Sequence, residues 1–353
     1  MLSGTHRNSL QEQVIYGRPA LEALTDLAKS FGAHRLMITS TASLAGPGGL
    51  AQRLAKDSGA ACVGIFAGVS AHSPREGVIA GAAEARRLGA DLLVAVGGGS
   101  VIDATKVMQL ALWAGVESAE GLGALPRRPG TGSCGCLEAN PRRSLDPAMT
   151  LSTPSQLWFS TGMKAVDHAV EQLCNPVRSP YADALAEAGL KGLVQGLLAT
   201  KERPSDLDAR LECQIGMWLA MAGASAGRGL GASHAIGHTL GGSFGVPHGL
   251  TSCVALPAVL RWNERVASDR QKLVAALLRN PEFSASDAVR TLAHALDLPT
   301  DLAAIGIRPG QFRAIAEHTL HDRGIRSNPR PIKGADDIME ILELARGTRG
   351  GRS

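Results

Sequence analysis

Short apolar runs alternate with helical stretches along the first part of the chain, and this alternation limits the possible folds more than any other feature. Runs that suit buried strands occur at residues 35–40 (RLMITS), 61–69 (ACVGIFAGV) and 92–96 (LLVAV). Alanine- and leucine-rich stretches at residues 48–58 and 75–88 lie between them. Because strands separated by helices of this length form βαβ units, the pattern predicts a parallel sheet and an α/β fold.

The pattern changes at about Pro154, after which strand-like alternation almost disappears. Long helical patterns follow, at residues 161–174, 181–198, 206–224, 233–242, 250–263 and 269–278. The irregular residues 127–153, rich in Pro, Gly and Arg, separate the two halves. The sequence therefore predicts an α/β domain over residues 1–153 and an all-helical domain over residues 154–353, a division that suits a chain of this length.

The composition argues against several classes of partner. Aromatic residues make up only 3% of the chain and the arginines are scattered, so we expect no surface that binds nucleic acid. No apolar run approaches the roughly 18 residues of a membrane span, and the polar N-terminus lacks a signal-peptide pattern. The six cysteines form no C-x-x-C pair and are typical of reduced thiols. We therefore expect a cytoplasmic protein that binds neither nucleic acid nor a membrane.

A strand, three glycines and a helix are predicted in succession at residues 92–103 (LLVAVGGGSVID). Gly97–Gly99 would allow a tight turn and leave room for a phosphate beside bare N–H groups, and the N-terminus of the next helix attracts anions. Ser100 and Asp103 have the spacing of a capping box. The segment predicts a phosphate site, but it also fits an ordinary capped strand–helix turn, and it is not the Rossmann fingerprint.

A second glycine-rich loop, at residues 126–133, contains the hydroxyl residues Thr131 and Ser133. Both could donate hydrogen bonds to a phosphate or a ribose. Arg127 and Arg128 in the same loop could reach an anion, or could simply be solvated.

Four histidines occur at suggestive spacings in the second half of the chain. His234 and His238 are four residues apart, so they lie above one another on a helix face, and the same holds for Lys164 and His168. His248 follows ten residues after His238. A single histidine is more often structural than functional, but four of them in such surroundings indicate a site.

These motifs occur in one order along nearly the whole chain. They are GGGSxxDxxK at residues 97–106, GTGS at 130–133, GMKAVDHAVE at 162–171 and HxxxH followed by HG at 234–249. In this order they resemble the iron-containing (group III) alcohol dehydrogenase superfamily, which also includes dehydroquinate synthase and glycerol dehydrogenase. Residues 238–244 (HTLGGSF) and 328–331 (NPRP) are most similar to its maleylacetate reductases, which reduce a ring-cleavage dicarboxylate with NADH or NADPH.

The resemblance implies a homodimer with a dehydroquinate synthase-like fold, in which a nucleotide-binding domain and a helical domain enclose a cleft for a small-molecule substrate. The pyrophosphate of NADH or NADPH would lie over Gly97–Ser100, and His238 matches a residue near the nicotinamide. Ser40 follows the first strand, where NAD-specific relatives often have an acidic residue, so use of both nucleotides is expected. Residues 134–145 are shorter than the hairpin that relatives carry there, and Arg127 and Arg128 replace paired threonines.

The resemblance also bears on a metal ion. Metal-dependent members bind iron or zinc through one Asp and three His; the matching histidines are His168, His234 and His248, but Lys164 occupies the Asp position. A lysine ammonium repels a divalent cation, by roughly 4 kcal/mol per pair of unit charges at about 4 Å and an effective dielectric of about 20. The substitution also removes the only anionic ligand, since Asp167 is expected to point about 100° away from His168 around the helix. We therefore expect no catalytic metal, in agreement with maleylacetate reductases, which typically have Asn there.

The leading hypothesis is a metal-independent NAD(P)H-dependent reductase of a small, anionic carbonyl or enone substrate. His238 or His248 would protonate or polarise the oxyanion, and Lys164 would bind that oxyanion or a substrate carboxylate in place of a metal; alternatively Lys164 is an ion-paired structural residue. A second hypothesis is a metal-dependent alcohol dehydrogenase with an altered ligand set. A third is a family member with non-redox chemistry, such as a lyase, cyclase or isomerase, or one that binds without catalysis.

Overall fold

The computed structural model describes residues 13–70, 74–124, 142–226 and 229–347. Within these ranges the chain forms two compact units, which comprise residues 13–149 and residues 150–347.

The first unit alternates strands and helices as the sequence predicts. Its strands are β1 (Val14–Tyr16), β2 (Leu36–Thr39), β3 (Cys62–Phe66), β4 (Leu92–Ala95) and β5 (Arg143–Leu145). Its helices are α1 (Ala20–Phe31), α2 (Ala42–Ala45), α3 (Leu50–Ser58), α4 (Arg75–Leu88), α5 (Gly99–Trp113) and α6 (Ala119–Ala124). All strand pairs are parallel, with the order β3–β2–β4 in one sheet and β1 beside β5 in another. The predicted parallel α/β fold of this part is confirmed.

Helices cover both faces of the three-stranded sheet, because successive side chains of each strand point to opposite sides. Leu92 and Val94 pack in an apolar cluster with α1 and α3, whereas Leu93 between them packs in a second cluster with α4 and α5. A strand with two covered faces needs apolar residues at nearly every position. This requirement explains the continuous apolar runs from which the strands were predicted.

The second unit is helical throughout residues 150–226 and 229–347 apart from short turns, which confirms the predicted all-helical half. Its helices are α7 (Ser155–Cys174), α8 (Pro180–Glu202), α9 (Leu207–Ala226), α10 (Ala232–Phe244), α11 (His248–Asn263), α12 (Ser268–Leu277), α13 (Ala285–Ala295), α14 (Phe312–Thr319) and α15 (Ala335–Leu344). The sequence predicted the first six of these and missed α13, α14 and α15, which have only 8–11 residues each.

Helix α11 lies between the two apolar clusters of this unit and is buried almost all round. Cys253, Leu256 and Leu260 pack into the cluster that contains α7 and α8, while Val254 and Ala258 pack into the cluster that contains α14 and α15. Helix α10, which precedes α11 along the chain, packs against α11, and so does helix α7. These two helices carry the site described next.

Two other features of the described residues bear on the expectations above. None of the helices in this part of the chain is long and apolar enough to cross a membrane. Cys62, Cys174, Cys213 and Cys253 are free thiols, and the last three are buried.

Candidate active site

Three helices of the second unit bring the predicted histidines and Lys164 together. Lys164 and His168 belong to α7, His234 and His238 to α10, and His248 is the first residue of α11. The imidazole rings form a continuous row. The distances between ring centroids are 4.4 Å for His168–His234, 6.3 Å for His234–His238 and 5.8 Å for His238–His248. The spacing pattern therefore identified residues that lie in one place.

Glu171 of α7 fixes the start of α10 against this row. Its carboxylate accepts hydrogen bonds from the backbone N–H groups of Gly231 (2.7 Å) and Ser233 (2.8 Å), which are donors left free at a helix N-terminus. The same carboxylate accepts from Nδ1 of His234 at 2.8 Å. A β-carbon at position 231 would lie 2.9 Å from Oε1 of Glu171, so glycine is needed for this close approach.

Asp167 lies in the same group, and the expectation that it would point away from the site is wrong. Its Oδ2 accepts hydrogen bonds from the hydroxyls of Ser233 (3.0 Å) and Ser252 (2.6 Å), and it lies 3.4 Å from Nδ1 of His234. Helix α10 packs against α7 so that His234 contacts both Asp167 and His168.

The amine of Lys164 is shielded from solvent and has no hydrogen-bond partner among the residues that the structure describes. It lies against α10, since a β-carbon at position 237 would be 3.8 Å from it. Burial lowers the pKa of Lys164, and the carboxylates of Asp167, Glu171 and Asp322 oppose that shift. This environment differs from that of an ion-paired structural lysine and places a buried amine next to the imidazoles.

His168 and His234 are both kept neutral by burial, and in each ring Nδ1 is engaged in a hydrogen bond. Burial lowers the pKa of His168 well below its ordinary value and that of His234 to about 3, and the charge of Lys164 adds to both shifts. Nδ1 of His168 donates to the carbonyl of Lys164 at 2.7 Å, and Nδ1 of His234 donates to Glu171. Nε2 of His234 has no partner among the described residues, so a bare ring nitrogen remains in the interior.

The carboxylates alter the expectation about metal ligands. Asp167, Glu171 and His234 each offer a ligand atom within 4.8 Å of the others, so the premise that Lys164 removes the only anionic ligand is wrong. These oxygens, however, already accept hydrogen bonds from two backbone N–H groups, two hydroxyls and Nδ1 of His234. Burial also raises the pKa of Asp167, and that of Glu171 to about 7. The donors make this group a hydrogen-bonded support for His234, while Oδ1 of Asp167 is buried and has no hydrogen-bond partner among the described residues.

His238 is the more exposed histidine of α10, and no sequence pattern predicts its hydrogen-bond partner. Its side chain is 53% exposed, and its Nδ1 donates to Oδ2 of Asp322 at 2.7 Å. Asp322 lies 84 residues further along the chain, just before a short turn at Arg323–Ser327. No spacing rule connects residues so far apart, so only the fold could reveal this contact.

In the first unit, the glycine segment forms the predicted strand–turn–helix. The backbone turns at Gly97, where φ is 156° and a β-carbon would lie 2.6 Å from Cγ2 of Val101. Gly98 and Gly99 face open space, and α5 begins at Gly99. The helix start therefore presents backbone N–H groups beside a bare, exposed surface, which is the arrangement that binds phosphates.

The predicted capping box is wrong. The N-cap of α5 is Gly98, which has no side chain to accept a hydrogen bond, so Ser100 lies inside the helix. Asp103 is exposed and lies 3.6 Å from the amine of Lys106. The N-cap residue of α5 therefore makes no side-chain hydrogen bond to the start of the helix.

The other candidate nucleotide contacts are only partly described. Ser40 is buried, and its hydroxyl donates to the carbonyl of Val96 at 2.7 Å, so it ties the ends of β2 and β4 together. Thr131, Ser133, Arg127 and Arg128 lie outside the described residues.

Comparison with known proteins assigns the chain to a family. Residues 158–346 match the model of the Fe-containing alcohol dehydrogenase family, C-terminal, and residues 11–133 match the model of iron-containing alcohol dehydrogenase. The chain belongs to the iron-containing alcohol dehydrogenase family. It is thus an NAD(P)-dependent oxidoreductase, and the resemblance drawn from the motifs is confirmed.

Individual relatives agree with the maleylacetate reductase-like branch. The chain is 33% identical to maleylacetate reductase 2 of Cupriavidus pinatubonensis, over 94% of each chain. Its fold is similar to that of a putative alcohol dehydrogenase from Ralstonia eutropha (TM-score 0.85, 29% identity, 98% of each chain). It is also similar to the maleylacetate reductase of Agrobacterium tumefaciens (TM-score 0.81, 25% identity, 98% of this chain and 99% of that one). The predicted dehydroquinate synthase-like fold class is thereby confirmed for this family member.

Proposed function

We propose that this family member reduces a small, anionic carbonyl or enone compound of the maleylacetate type with NADH or NADPH, and that Lys164 replaces the metal ion as electrophile. The observation that carries the proposal is the buried amine of Lys164, which has no hydrogen-bond partner within the described ranges and lies beside the imidazoles of His168 and His234. The maleylacetate reductases among the relatives support the choice of substrate class.

Electrostatics supports a reaction without a bound metal. The ammonium of Lys164 would share a buried space with any cation held by the imidazoles, and repulsion between charges is strong where water is excluded. Of the carboxylates that could offset it, both oxygens of Glu171 and Oδ2 of Asp167 accept hydrogen bonds around Nδ1 of His234. The site therefore places the Lys164 amine beside the imidazoles, while Oδ1 of Asp167 is the carboxylate oxygen there that has no hydrogen-bond partner among the described residues.

The reduction needs an electrophile where negative charge develops. NADH or NADPH, when bound, would supply a hydride with both electrons for the carbonyl carbon or for the β-carbon of an enone. The displaced π electrons would move to the substrate oxygen as an alkoxide or enolate, and the cofactor would leave oxidised. The Lys164 ammonium would stabilise that oxygen or a substrate carboxylate, which is the role that a metal serves in other members of the family.

A proton must then reach the reduced product. His238 is half exposed and could carry a proton on Nε2, donate it to the oxyanion or to the carbon of the enolate, and recover one from water. His248 stacks on His238 with an interplanar angle of 6° and is the second candidate for this step. His168 and His234 are poor candidates because they are held neutral by burial.

The test combines activity with metal analysis. Purified protein should oxidise NADH or NADPH in the presence of maleylacetate or related 2-oxo and enone acids, and it should contain no stoichiometric iron or zinc. Lys164→Met removes the charge at similar volume and should lower kcat about 100- to 1,000-fold, as loss of an oxyanion donor does, with little change in nucleotide affinity. Lys164→Arg is the matched variant that keeps the charge.

Other results would favour the alternative functions. Stoichiometric metal whose removal abolishes activity would establish the metal-dependent alcohol dehydrogenase. Failure to bind either nucleotide in a titration, together with inactivity on the whole substrate panel, would favour non-redox chemistry.

The cellular context is also a proposal. We propose a homodimer in the cytoplasm, supported by the family resemblance and by the free thiols of the described cysteines. Light scattering of the purified chain would test the dimer, because a monomer at working concentration would contradict it.

A further inference from the structure

Asp322 holds one ring nitrogen of the histidine to which we assign the proton transfer. Its Oδ2 lies 2.7 Å from Nδ1 of His238, and this bond joins α10 to a turn 84 residues further along the chain. We propose that Asp322 is a positioning residue that fixes the tautomer and the orientation of His238, so that Nε2 is the nitrogen that gives its proton to the substrate. This inference rests on the proposed function.

The carboxylate of Asp322 is itself held in place. Its Oδ1 accepts a hydrogen bond from the backbone N–H of Gly324 at 2.7 Å, at the start of the turn. That turn packs tightly beside the residues that precede α10, because a β-carbon at position 324 would lie 3.1 Å from the carbonyls of Leu230 and Gly231. Asp322 is thus fixed with respect to the helix that carries His238, which is what a residue that orients a ring requires.

Charge favours the same role. The hydrogen bond from His238 lowers the pKa of Asp322, so this carboxyl group is an anion at neutral pH and accepts from Nδ1. The side chain of His238 is 53% exposed, so the packing around it is incomplete. The hydrogen bond from Nδ1 to the fixed carboxylate of Asp322 restrains the rotation of the ring.

The neighbouring histidines follow the same arrangement, with one informative difference. His168 and His234 also donate from Nδ1, to the carbonyl of Lys164 and to the carboxylate of Glu171 respectively. Both of those rings are buried and neutral, whereas His238 pairs an exposed ring with an ionised carboxylate. Of these three rings, His238 is the one suited to exchange a proton with substrate and water.

The proton balance follows from this geometry. Nε2 of the doubly protonated ring gives one proton to the oxyanion or enolate carbon, and its N–H bonding electrons remain on the ring. Nδ1 keeps its proton throughout, bonded to Asp322. Water later returns a proton to Nε2, so Asp322 and the ring both end a turnover in the protonation states in which they began it.

The kinetic test is a double-mutant cycle. Asp322→Asn should lower kcat about 10- to 100-fold, the usual effect of losing a group that orients a functional histidine, while the KM for nucleotide stays within about 2-fold. In a His238→Asn background the same change should have almost no further effect on kcat, because the residue through which it acts is gone. An equal loss in both backgrounds, or no loss in either, would overturn the proposal.

A matched control separates positioning from the structural role of the turn. Asp301 likewise begins a short turn (Ala303–Ile305), and its Oδ1 accepts from the N–H of Ala304 at 2.8 Å. Asp301→Asn removes the same charge at the same kind of position, far from the histidine row in the chain. It should leave kcat unchanged.

A second measurement does not depend on activity. Nitrogen NMR of protein with labelled histidine should show a proton on Nδ1 of neutral His238, and this tautomer should lose its dominance in Asp322→Asn. An unchanged tautomer would overturn the proposal even in an active enzyme. A dominant Nδ1–H form in a protein that reduces no substrate would uphold the positioning of the ring and refute the proposed function instead.

Discussion

Glu171 accepts a hydrogen bond from Nδ1 of His234 at 2.8 Å, and this contact determines which nitrogen of the buried ring remains available. The same carboxylate accepts from two backbone N–H groups at the start of α10, so one residue of α7 both caps that helix and sets the tautomer of its histidine. A carboxylate in contact with a histidine can suggest a metal centre, but Glu171 already accepts three hydrogen bonds, which occupy three of the roughly four lone-pair sites of a carboxylate.

Replacement of Glu171 by glutamine should destabilise the second unit. An amide has one acceptor oxygen and two N–H donors, so it cannot satisfy the three N–H groups of Gly231, Ser233 and His234 in a buried place. We expect Glu171→Gln to lower the free energy of unfolding by about 1–3 kcal/mol in urea denaturation. The control is Glu187→Gln, which changes an exposed residue of α8 and should stay within about 0.5 kcal/mol of wild type. Equal effects of the two changes would contradict the capping role.

The buried imidazole of His234 should make stability depend on pH in a definite direction. Its folded pKa of about 3 lies below its ordinary value, so between those values the unfolded chain binds a proton that the folded chain does not. Its contribution to stability is therefore complete above about pH 6.5 and is lost as the pH falls towards 3. Glu171 acts in the opposite sense, because its pKa is raised to about 7 and its contribution is lost as the pH rises.

A variant isolates the histidine from that opposing group. His234→Gln should show a smaller fall in the free energy of unfolding than wild type between about pH 6.5 and pH 5, measured by chemical denaturation at each pH. A steeper fall in the variant would show that His234 is protonated in the folded protein, contrary to its burial.

Restoring a carboxylate at position 164 should create affinity for a divalent cation. Lys164→Asp replaces the buried amine with an anionic oxygen ligand beside His168 and His234. Each of these rings is hydrogen-bonded through Nδ1, so Nε2 is the nitrogen that would bind a metal. We expect the variant to hold about one zinc ion per chain after dialysis against zinc and then buffer, and wild type to hold far less. Lys191→Asp, at an exposed lysine of α8, should behave like wild type. Equal zinc content in wild type and Lys164→Asp would refute the electrostatic argument against a metal.

A negative charge at the start of α5 should weaken nucleotide binding without unfolding the first unit. Position 99 has open space around its missing β-carbon, so Gly99→Asp meets no steric obstacle, and an acidic residue in the first turn is favourable for a helix. The carboxylate would repel a pyrophosphate, and we expect the Kd for NADPH to rise at least about 10-fold in a fluorescence titration. Gly99→Ala separates charge from bulk and should change the Kd far less. Undiminished affinity in Gly99→Asp would move the phosphate site elsewhere.

The sequence predicted those features that depend on neighbours along the chain. Strands β2, β3 and β4 were recognised because a strand covered on both faces needs a continuous apolar run, and the histidine row was recognised because helical spacing stacks side chains. The roles of Glu171, Asp167 and Asp322 were missed because their hydrogen-bond partners lie 60–85 residues away. The capping box failed for a local reason: Ser100 and Asp103 have the right spacing, but the helix begins at Gly99, two residues before a helix capped by Ser100 would begin.

Helices α8 and α9 pack closely together, which no sequence pattern predicted, and this contact can be tested by substitution. A β-carbon at Gly189 of α8 would lie 2.7 Å from the backbone nitrogen of Ala220 and 2.8 Å from the carbonyl oxygen of Gly216, both in α9. Backbone atoms cannot swing aside as a side chain can, so the helices would have to separate. We expect Gly189→Ala to lower the free energy of unfolding by about 1–3 kcal/mol, as overpacking of a close-packed core does.

Gly192, one turn further along α8, is the matched control for that change. Its nearest neighbour would be the carbonyl oxygen of Glu212 at 3.6 Å, an ordinary contact distance, so a methyl group fits there. Alanine is the better helix former, and Gly192→Ala should therefore raise the free energy of unfolding by about 0.5–1 kcal/mol. Thermal or urea denaturation of the two variants should move in opposite directions. A stabilising effect of both would mean that α8 and α9 lie further apart than the backbone contacts at Gly189 indicate.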